Sequence, residues 1–341
     1  MSGAGAPLPA RMQAVQLAAT GGPDVLQSVE LPTPSPGEGE VLVRAHAIGV
    51  GMPDVLVRTG RYPWMPPLPA IPGIEMSGRI AAVGPDVTGF EPGDPVFVSA
   101  RELPVRGGCY AQYRTAPARA VYRLPEGIDL DAAACLSNYQ VAWHLLHSAT
   151  NGMRYETILL WAAAGGVGSA VIQLARLAGK RVIGLAGGAA KCEFVRQLGA
   201  DVCIDYKADD VLAAVKAATD GRGVDLVLDP VGGPHLHRNF DYLAPLGLVV
   251  NFGLLEGKPD LSRAQNMVDR LGDSLALRLF SMHVFDKDPP RRRAAMQELV
   301  PLLAQGRIRP PIHSKLPLGE ARRAHELLDG GTVVGKLLLV P

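Results

Sequence analysis

Cysteine is scarce in this chain, with 4 in 341 residues: Cys109, Cys135, Cys192 and Cys203. Their wide spacing forms neither a paired metal-binding repeat nor a disulfide framework, so they read as reduced, packed thiols. Aromatic residues are also few, at 5%, and the formal net charge is only +1. Charge this balanced creates no whole-protein field to concentrate nucleic acid or an anionic membrane. No apolar run is long enough to span a bilayer, and the first eleven residues lack the apolar stretch of a signal peptide. These absences lead to the expectation of a cytoplasmic protein whose residues 1–11 form a disordered leader before the alternating run that opens at Met12.

What is present is aliphatic and heavily punctuated: 48% hydrophobic residues, 39 Gly and 29 Pro. The length exceeds the ~250–300 residues at which one core usually stops growing, so two domains are expected. From Met12 to about Leu124, short β-rich runs such as Val41–Ala45 and Pro95–Val98 alternate with Gly and Pro, as in a strongly bent, barrel-like β domain. The densest punctuation, Tyr62 to Gly73, carries five prolines and is expected to be a loop lining a cleft. After about Asp131 the rhythm changes. Apolar runs Ile158–Trp161, Val182–Leu185, Val202–Ile204, Asp225–Asp229 and Leu248–Asn251 alternate with helical patterns near 167–178, 189–198, 208–219 and 234–243. That alternation predicts an α/β domain with a doubly wound parallel sheet. A helix over about 291–305, a second near 319–328 and a terminal strand over 335–340 close the chain, and this tail is expected to return to the first domain.

The run Ala163-Ala164-Gly165-Gly166-Val167-Gly168 stands between an expected strand and an expected helix. In that context it reads as a dinucleotide turn. Gly165 lets the backbone approach the pyrophosphate, Gly168 lets helix pack on strand, and the N–H groups at the helix start attract the anion. Position 163 holds Ala where the G-x-G-x-x-G pattern has its first Gly. About 20 residues on, an NAD enzyme places an acid on the ribose 2′-hydroxyl. Here the stretch is Leu185-Ala186-Gly187-Gly188-Ala189-Ala190-Lys191, which offers no carboxylate. Lys191 supplies a cation for a 2′-phosphate and Tyr206 a hydroxyl, so NADPH is expected, with Gly188 in the same turn. The alternative for Lys191 is a solvated position at a helix start.

The chain resembles the medium-chain dehydrogenase/reductase superfamily and, within it, the quinone oxidoreductase (zeta-crystallin-like) family. The resemblance rests on Gly60-Arg61-Tyr62-Pro63, Pro72 to Gly78, Val83-Gly84, Pro92-Gly93-Asp94, Gly108 to Tyr113, Ala162 to Gly168, Leu198 to Asp201 and Gly335-Lys336. It implies a GroES-like catalytic domain over 12–134 and 288–341, interrupted by a Rossmann domain over 135–287. It also implies cofactor contacts at Asn251, Phe252, Gly253 and Lys336, and hydride transfer in the cleft between domains. Candidate pocket residues by motif position are Met52, Asp54 and Asn138, with Tyr62 and Tyr139 as candidate proton donors; packing with a bonded hydroxyl is the alternative for either Tyr.

Zinc is not expected. Gly51 and Ile74 stand where the superfamily's alcohol dehydrogenases place Cys and His ligands, and Glu75 alone cannot hold Zn²⁺, which wants about four donors. His235 and His237 lack a third ligand and read as a helix surface pair. Without a Lewis acid, the expected substrates are acceptors already reactive toward hydride, quinones or α,β-unsaturated carbonyls. The family commonly has Asn, Tyr and Thr where this chain has Gly51, Leu56 and Val141, which makes the pocket less polar. A 2-enoyl thioester reductase is an alternative that needs a basic rim, for which Arg58, Arg61 and Arg106 are candidates. An NADPH-binding regulatory protein with little catalysis is another. Arg291-Arg292-Arg293 reads as a solvated face, and the apolar run Ser274–Phe280 as an edge strand pairing in a homodimer.

Overall fold

A computed structural model of the protein describes residues 8–341, so the first seven positions of the expected leader lie outside the described residues. The chain forms two compact units: residues up to Ser137 together with Glu298–Pro341, and Asn138–Gln297.

The first unit is β-rich. It opens with a hairpin-like pair, β1 (Arg11–Gln16) and β2 (Gln27–Pro32), in antiparallel register. A seven-stranded sheet follows, built on β3 (Glu40–Val50), β4 (Glu75–Val83), β5 (Pro95–Ser99), β6 (Tyr113–Pro117) and β7 (Val121–Arg123). β3 is long because it serves two partners along one edge. Glu40–Arg44 pair with β6, while Ile48–Val50 pair with the chain's last strand. Register shifts against β4 at Leu42/Val43 and Ala45/Ala47 bend it between those halves, giving the strong curvature expected from the sequence.

Between β3 and β4 stands a helix that the sequence pattern did not reveal, α1 (Met52–Arg58). Pro53 reads as a breaker, but in the first turn its missing N–H is one of the orphan donors anyway. Asp54 reaches back to accept from the Gly51 N–H at 2.9 Å, closing the N-terminus. Short α2 (Leu130–Ala133) and then α3 (Leu136–Leu146) lead into the second unit.

That unit holds β8 (Thr157–Leu160), α4 (Gly166–Leu177), β9 (Arg181–Ala186), α5 (Ala189–Gln197), β10 (Val202–Asp205), α6 (Val211–Ala218), β11 (Val224–Asp229), β12 (Leu243–Asn251), α7 (Gln265–Asp269) and β13 (Ala276–Leu279). All six strands are parallel, in the order β10-β9-β8-β11-β12-β13. Counted within the unit this is 3-2-1-4-5-6, the doubly wound order, with its switch point between β8 and β11. β8 and β11 are buried along their whole length, which explains their continuous apolar reading.

The helical pattern near 234–243 is a 3₁₀ segment, Gly233–Tyr242, and not an α-helix. It starts from Gly232 and Gly233, both at positive φ, and Pro234, which set a tight turn before it. The chain closes with α8 (Pro289–Ala304), then β14 (Ile312–Pro317), α9 (Ala321–Asp329) and β15 (Lys336–Val340), the last three in the first unit. The arginine run at the start of α8, expected as a solvated face, is solvated only in part: Arg291 is exposed and Arg293 half-buried, but Arg292 is neither. Arg292 is buried and pairs with Asp286 at 2.9 Å, because its backbone lies under α3, where Gln140 donates to its carbonyl. All four cysteines are buried and free. Among the described residues no helix is long and apolar enough to cross a membrane.

Candidate active site and cofactor turn

In the second unit, the residues expected to hold a dinucleotide lie at the carboxyl ends of β8, β9, β10 and β12. β8 ends at Leu160, and the chain turns through Ala162, held at φ 53, into α4. Gly165 caps that helix, so the N–H groups of its first turn lack intrahelical acceptors and face the strand ends. A Cβ on Gly168 would lie 2.5 Å from the Ala162 carbonyl oxygen and 2.6 Å from that of Ala163, so only glycine lets α4 sit this close to the turn. Ala163, at the motif's first-glycine position, is fully buried, and its methyl has room because Gly184 of β9 faces it without a side chain.

The β9–α5 turn fits an NADPH 2′-phosphate. A Cβ on Gly187 would meet the Tyr206 hydroxyl at 2.8 Å and Lys207 Cε at 2.9 Å, so a side chain there would have to push both of those side-chain ends aside. Tyr206 stands exposed beside the Trp161 ring at 5.8 Å, and Lys191 sits half-buried in the first turn of α5. Lys207 was not foreseen; its adjacency to Tyr206 was the signal. Nor was Asp205, whose carboxylate accepts from the Gly188 N–H at 2.8 Å and the Lys207 N–H at 3.1 Å, which holds it below the usual carboxylate range. That acid clamps Gly188 at positive φ.

Asn251 behaves as a positioning residue. It is buried, and its Nδ2 donates to the Asp229 carbonyl at 3.0 Å and that of Gly253 at 3.2 Å. Asp229 accepts from the Val231 and Gly232 N–H groups and from Asn239, and Asn239 accepts from Trp161 Nε1 at 2.8 Å. This buried network ties together the ends of β8, β11 and β12 and shapes the loop that carries Phe252 and Gly253. Tyr139, expected as a proton donor, is fully buried, and its hydroxyl donates to Gln173 of α4 at 3.0 Å. That is a packing position. Asn138 is half-buried one residue earlier.

In the β-rich unit the motif positions converge on a charged core. Asp54 is completely buried and accepts from Gly51 and, at 3.2 Å, from Gly73, linking α1 to the end of the proline-rich loop. Burial pushes its carboxyl up to about 7, against the pull of Lys336. Lys336, expected at the cofactor, is buried in an ion pair with Glu75 Oε1, whose Oε2 accepts from the Ser137 N–H at 3.1 Å. Tyr62 is buried in the core with its ring edge-on to Trp64 at 5.8 Å, and Leu56 packs against the same core. Met52 is half-buried. Below them Tyr110 and His325 form a buried pair at 3.1 Å, and burial drives His325 down to about 3.

Zinc does not fit these residues. Gly51 and Ile74 carry no donor, and both Glu75 oxygens are committed. Among the described residues no cluster of three His, Cys, Asp or Glu has metal-binding geometry. Of the three arginines considered for a basic rim, Arg58 is buried against Asp329 at 2.8 Å, while Arg61 is exposed and Arg106 half-buried.

Comparison with known proteins agrees with this geometry. Residues 37–126 match the family described as the alcohol dehydrogenase GroES-like domain, and residues 198–339 that described as zinc-binding dehydrogenase. A quinone oxidoreductase of Pseudomonas aeruginosa is 35% identical over 96% of this chain and 99% of its own. The chain belongs to the medium-chain dehydrogenase/reductase superfamily. A human synaptic vesicle membrane protein VAT-1 homolog is 32% identical over 93% of this chain and 82% of its own. The solved Escherichia coli quinone oxidoreductase complexed with NADPH superposes with a TM-score of 0.86 at 31% identity, covering 96% of this chain and all of that one. The GroES-like and Rossmann units of this superfamily member are therefore the β-rich and parallel-sheet units described above. The zinc-binding description does not extend to the donors at positions 51 and 74.

Proposed function

We propose that the protein is an NADPH-dependent, zinc-independent reductase of quinones or α,β-unsaturated carbonyls. The observation that carries the cofactor assignment is Gly187, where the Tyr206 hydroxyl and Lys207 close over the position an NAD-reading acid needs. The resemblance to an oxidoreductase solved with NADPH supports the same reading. When bound, the nicotinamide supplies the hydride. The chain's own work is to hold it: Ala164 to Gly168 present backbone N–H groups to the pyrophosphate, Lys191 and Tyr206 take the 2′-phosphate, and the Asn251-braced loop sets Phe252 and Gly253. Acceptors that are already electrophilic need no metal to polarise them, which matches a site whose motif positions offer none.

A titration of NADPH and NADH against the wild type and Lys191→Ala tests the cofactor. A charge-assisted phosphate contact is worth about 1.5–3 kcal/mol, so Lys191→Ala should weaken NADPH roughly ten- to over a hundred-fold and leave NADH unchanged. Equal affinity of the wild type for both nucleotides would overturn the assignment. NADPH oxidation with 9,10-phenanthrenequinone, an enone and crotonyl-CoA separates the substrate classes, and tight NADPH binding with no turnover would favour a regulatory protein.

Two further parts of the reading rest on the edges of the fold. Among the described residues β13 pairs with β12 on one side and with no strand on the other, and Leu279 on it is 59% exposed, which supports a homodimer joined edge to edge. Leu279→Asp should then elute as a monomer. Four buried, free thiols support a reducing, cytoplasmic setting.

A further inference from the structure

Gly187 is the first residue past β9, the place from which the acid of an NAD enzyme reaches the ribose 2′-hydroxyl. Unlike Gly188, it is not held at positive φ, so its backbone does not call for glycine. What stands where its side chain would begin is the far end of a lysine. A Cβ on Gly187 would lie 2.9 Å from Lys207 Cε, and the ammonium is one bond further on. The charge at this place is the reverse of that in an NAD-reading turn, a cation where a carboxylate would be.

Lys207 is placed there by Asp205. One carboxylate oxygen, Asp205 Oδ1, accepts from the Gly188 N–H at 2.8 Å and from the Lys207 N–H at 3.1 Å, so the β9–α5 turn and the residues after β10 are held on a single atom. The Lys207 ammonium itself makes no hydrogen bond or ion pair among the described residues. We propose that Lys207 binds the 2′-phosphate of NADPH through this ammonium and, together with Lys191, sets the preference for NADPH over NADH. This deepens the NADPH reading and rests on it.

The local charge balance calls for this second cation. Asp205 is joined by Asp209, whose Oδ2 accepts from the Asp205 N–H at 3.0 Å, and Lys191 alone cannot offset both acids. A phosphate monoester adds about −1.5 to −2 of charge at neutral pH. Without Lys207 the turn would be net negative before the phosphate arrived. An ammonium bonded to a phosphate oxygen makes a charge-assisted contact that salt weakens, whereas the 2′-hydroxyl of NADH presents no charge to it. The contact is therefore made to one cofactor and not to the other.

The test uses the full chain as wild type, Lys207→Met, Lys207→Arg and Lys191→Ala, titrated by calorimetry with 2′,5′-ADP and 5′-AMP and then with NADPH and NADH. The two adenosine fragments differ only in the 2′-phosphate, so their comparison depends on no acceptor and no turnover. Lys207→Met keeps the stem across Gly187 and removes the charge. Lys207 is exposed, so the substitution leaves the core packing alone, and 5′-AMP affinity reports that the turn is intact. Wild type should prefer 2′,5′-ADP. Lys207→Met should weaken 2′,5′-ADP and NADPH about ten-fold and leave 5′-AMP and NADH within about two-fold. Lys207→Arg should keep most of the preference, and added salt should narrow the gap between wild type and Lys207→Met. A Lys207→Met variant with the full wild-type preference would overturn the proposal and leave the 2′-phosphate to Lys191, whose own variant would then lose the preference. An equal loss for both fragments would also overturn it, because the side chain would then be packing the turn and not binding phosphate. If wild type itself does not prefer 2′,5′-ADP over 5′-AMP, the NADPH reading fails and takes the proposal with it, an outcome visible before any substitution is made.

Discussion

Each unit of this chain buries a carboxylate at a strand end, and the two are treated in opposite ways. Asp229, closing β11, is surrounded by neutral donors: two backbone N–H groups and the Asn239 amide. Asp54, just past β3, accepts from two backbone N–H groups and shares its burial with Glu75 and Lys336. Burial raises both carboxyls. The first acid is a keystone that shapes a loop, because neutral donors aimed at it fix geometry without adding charge. The second belongs to a cluster whose net charge depends on one lysine.

The sharpest way to break this contrast is to remove that lysine. Lys336→Met leaves Glu75 and Asp54 buried without a counter-charge, and stripping one partner from a buried pair typically costs about 3–5 kcal/mol. Urea unfolding should show a loss of that size, and Glu75→Gln in the Lys336→Met background should restore part of it. A double variant no more stable than Lys336→Met would mean the two are not coupled. In the other unit, Asp229→Ala strands three donors, each worth about 1–3 kcal/mol when buried and unsatisfied. Since the loop relaxes and water enters, we expect about 3 kcal/mol in all. Asp229→Asn should cost about half of that, because one carbonyl oxygen still accepts. A keystone that acts through geometry also predicts that Asp229→Asn leaves NADPH affinity within a few-fold unless Phe252 and Gly253 move.

The β-rich unit should also be the pH-sensitive one, through His325. Its folded value of about 3 lies below the ordinary 6.5, so the unfolded chain binds a proton that the native state refuses. Stability from this residue is complete above pH 6.5 and is lost as pH falls from there toward 3. One unit of separation is about 1.4 kcal/mol, so the loss between pH 7.5 and pH 5 should be about 2 kcal/mol. His325→Gln, which keeps a polar partner for Tyr110, should flatten that acid limb in thermal melts across pH. An unchanged slope would mean that other groups set the acid sensitivity. Asp54 has the opposite sign. Its raised carboxyl binds a proton that the unfolded chain releases, so its contribution fades as pH rises from 4 to 7, and Asp54→Asn should steepen the curve's rise with pH over that interval.

The two units also differ in how much could be read beforehand. In the parallel-sheet unit, strands buried on both faces and helices of ordinary length leave unambiguous periods, and the β8–α4 turn was visible as a motif with its context. The 3₁₀ segment at Gly233–Tyr242 escaped because its period differs from the α-helical one by less than a single turn reveals. In the β-rich unit α1 was hidden by Pro53, a breaker everywhere except at a helix start. Charged residues were harder still. Arg58 and Arg292 look like surface cations in sequence and Lys336 like a cofactor contact, yet each is buried in an ion pair, with Asp329, Asp286 and Glu75; the partners of Arg58 and Lys336 lie 271 and 261 residues away along the chain. Spacing cannot show a contact across 261 residues.

The smallest effect is expected at Ala162, where the cofactor turn departs from the glycine its geometry favours. Ala162 sits at φ 53, in the left-handed region, where an L side chain costs roughly 1–2 kcal/mol relative to ordinary backbone. Its neighbour Ala163 takes the motif's first-glycine position without strain, because Gly184 makes room for its methyl. The strain in this turn therefore lies one residue ahead of the motif. Ala162→Gly removes it but gives the unfolded chain extra freedom, worth about 0.4–1 kcal/mol in the opposite direction. The difference leaves Ala162→Gly more stable by roughly 0–1.6 kcal/mol. NADPH affinity should not change, because the turn keeps its path and Gly165 to Gly168 keep their N–H groups. A loss of stability would mean that the Ala162 methyl makes packing contacts that outweigh its strain. A gain in stability with weakened NADPH would instead show that strain at this turn helps hold the backbone against the cofactor, the one outcome that would make Ala162 part of the binding site.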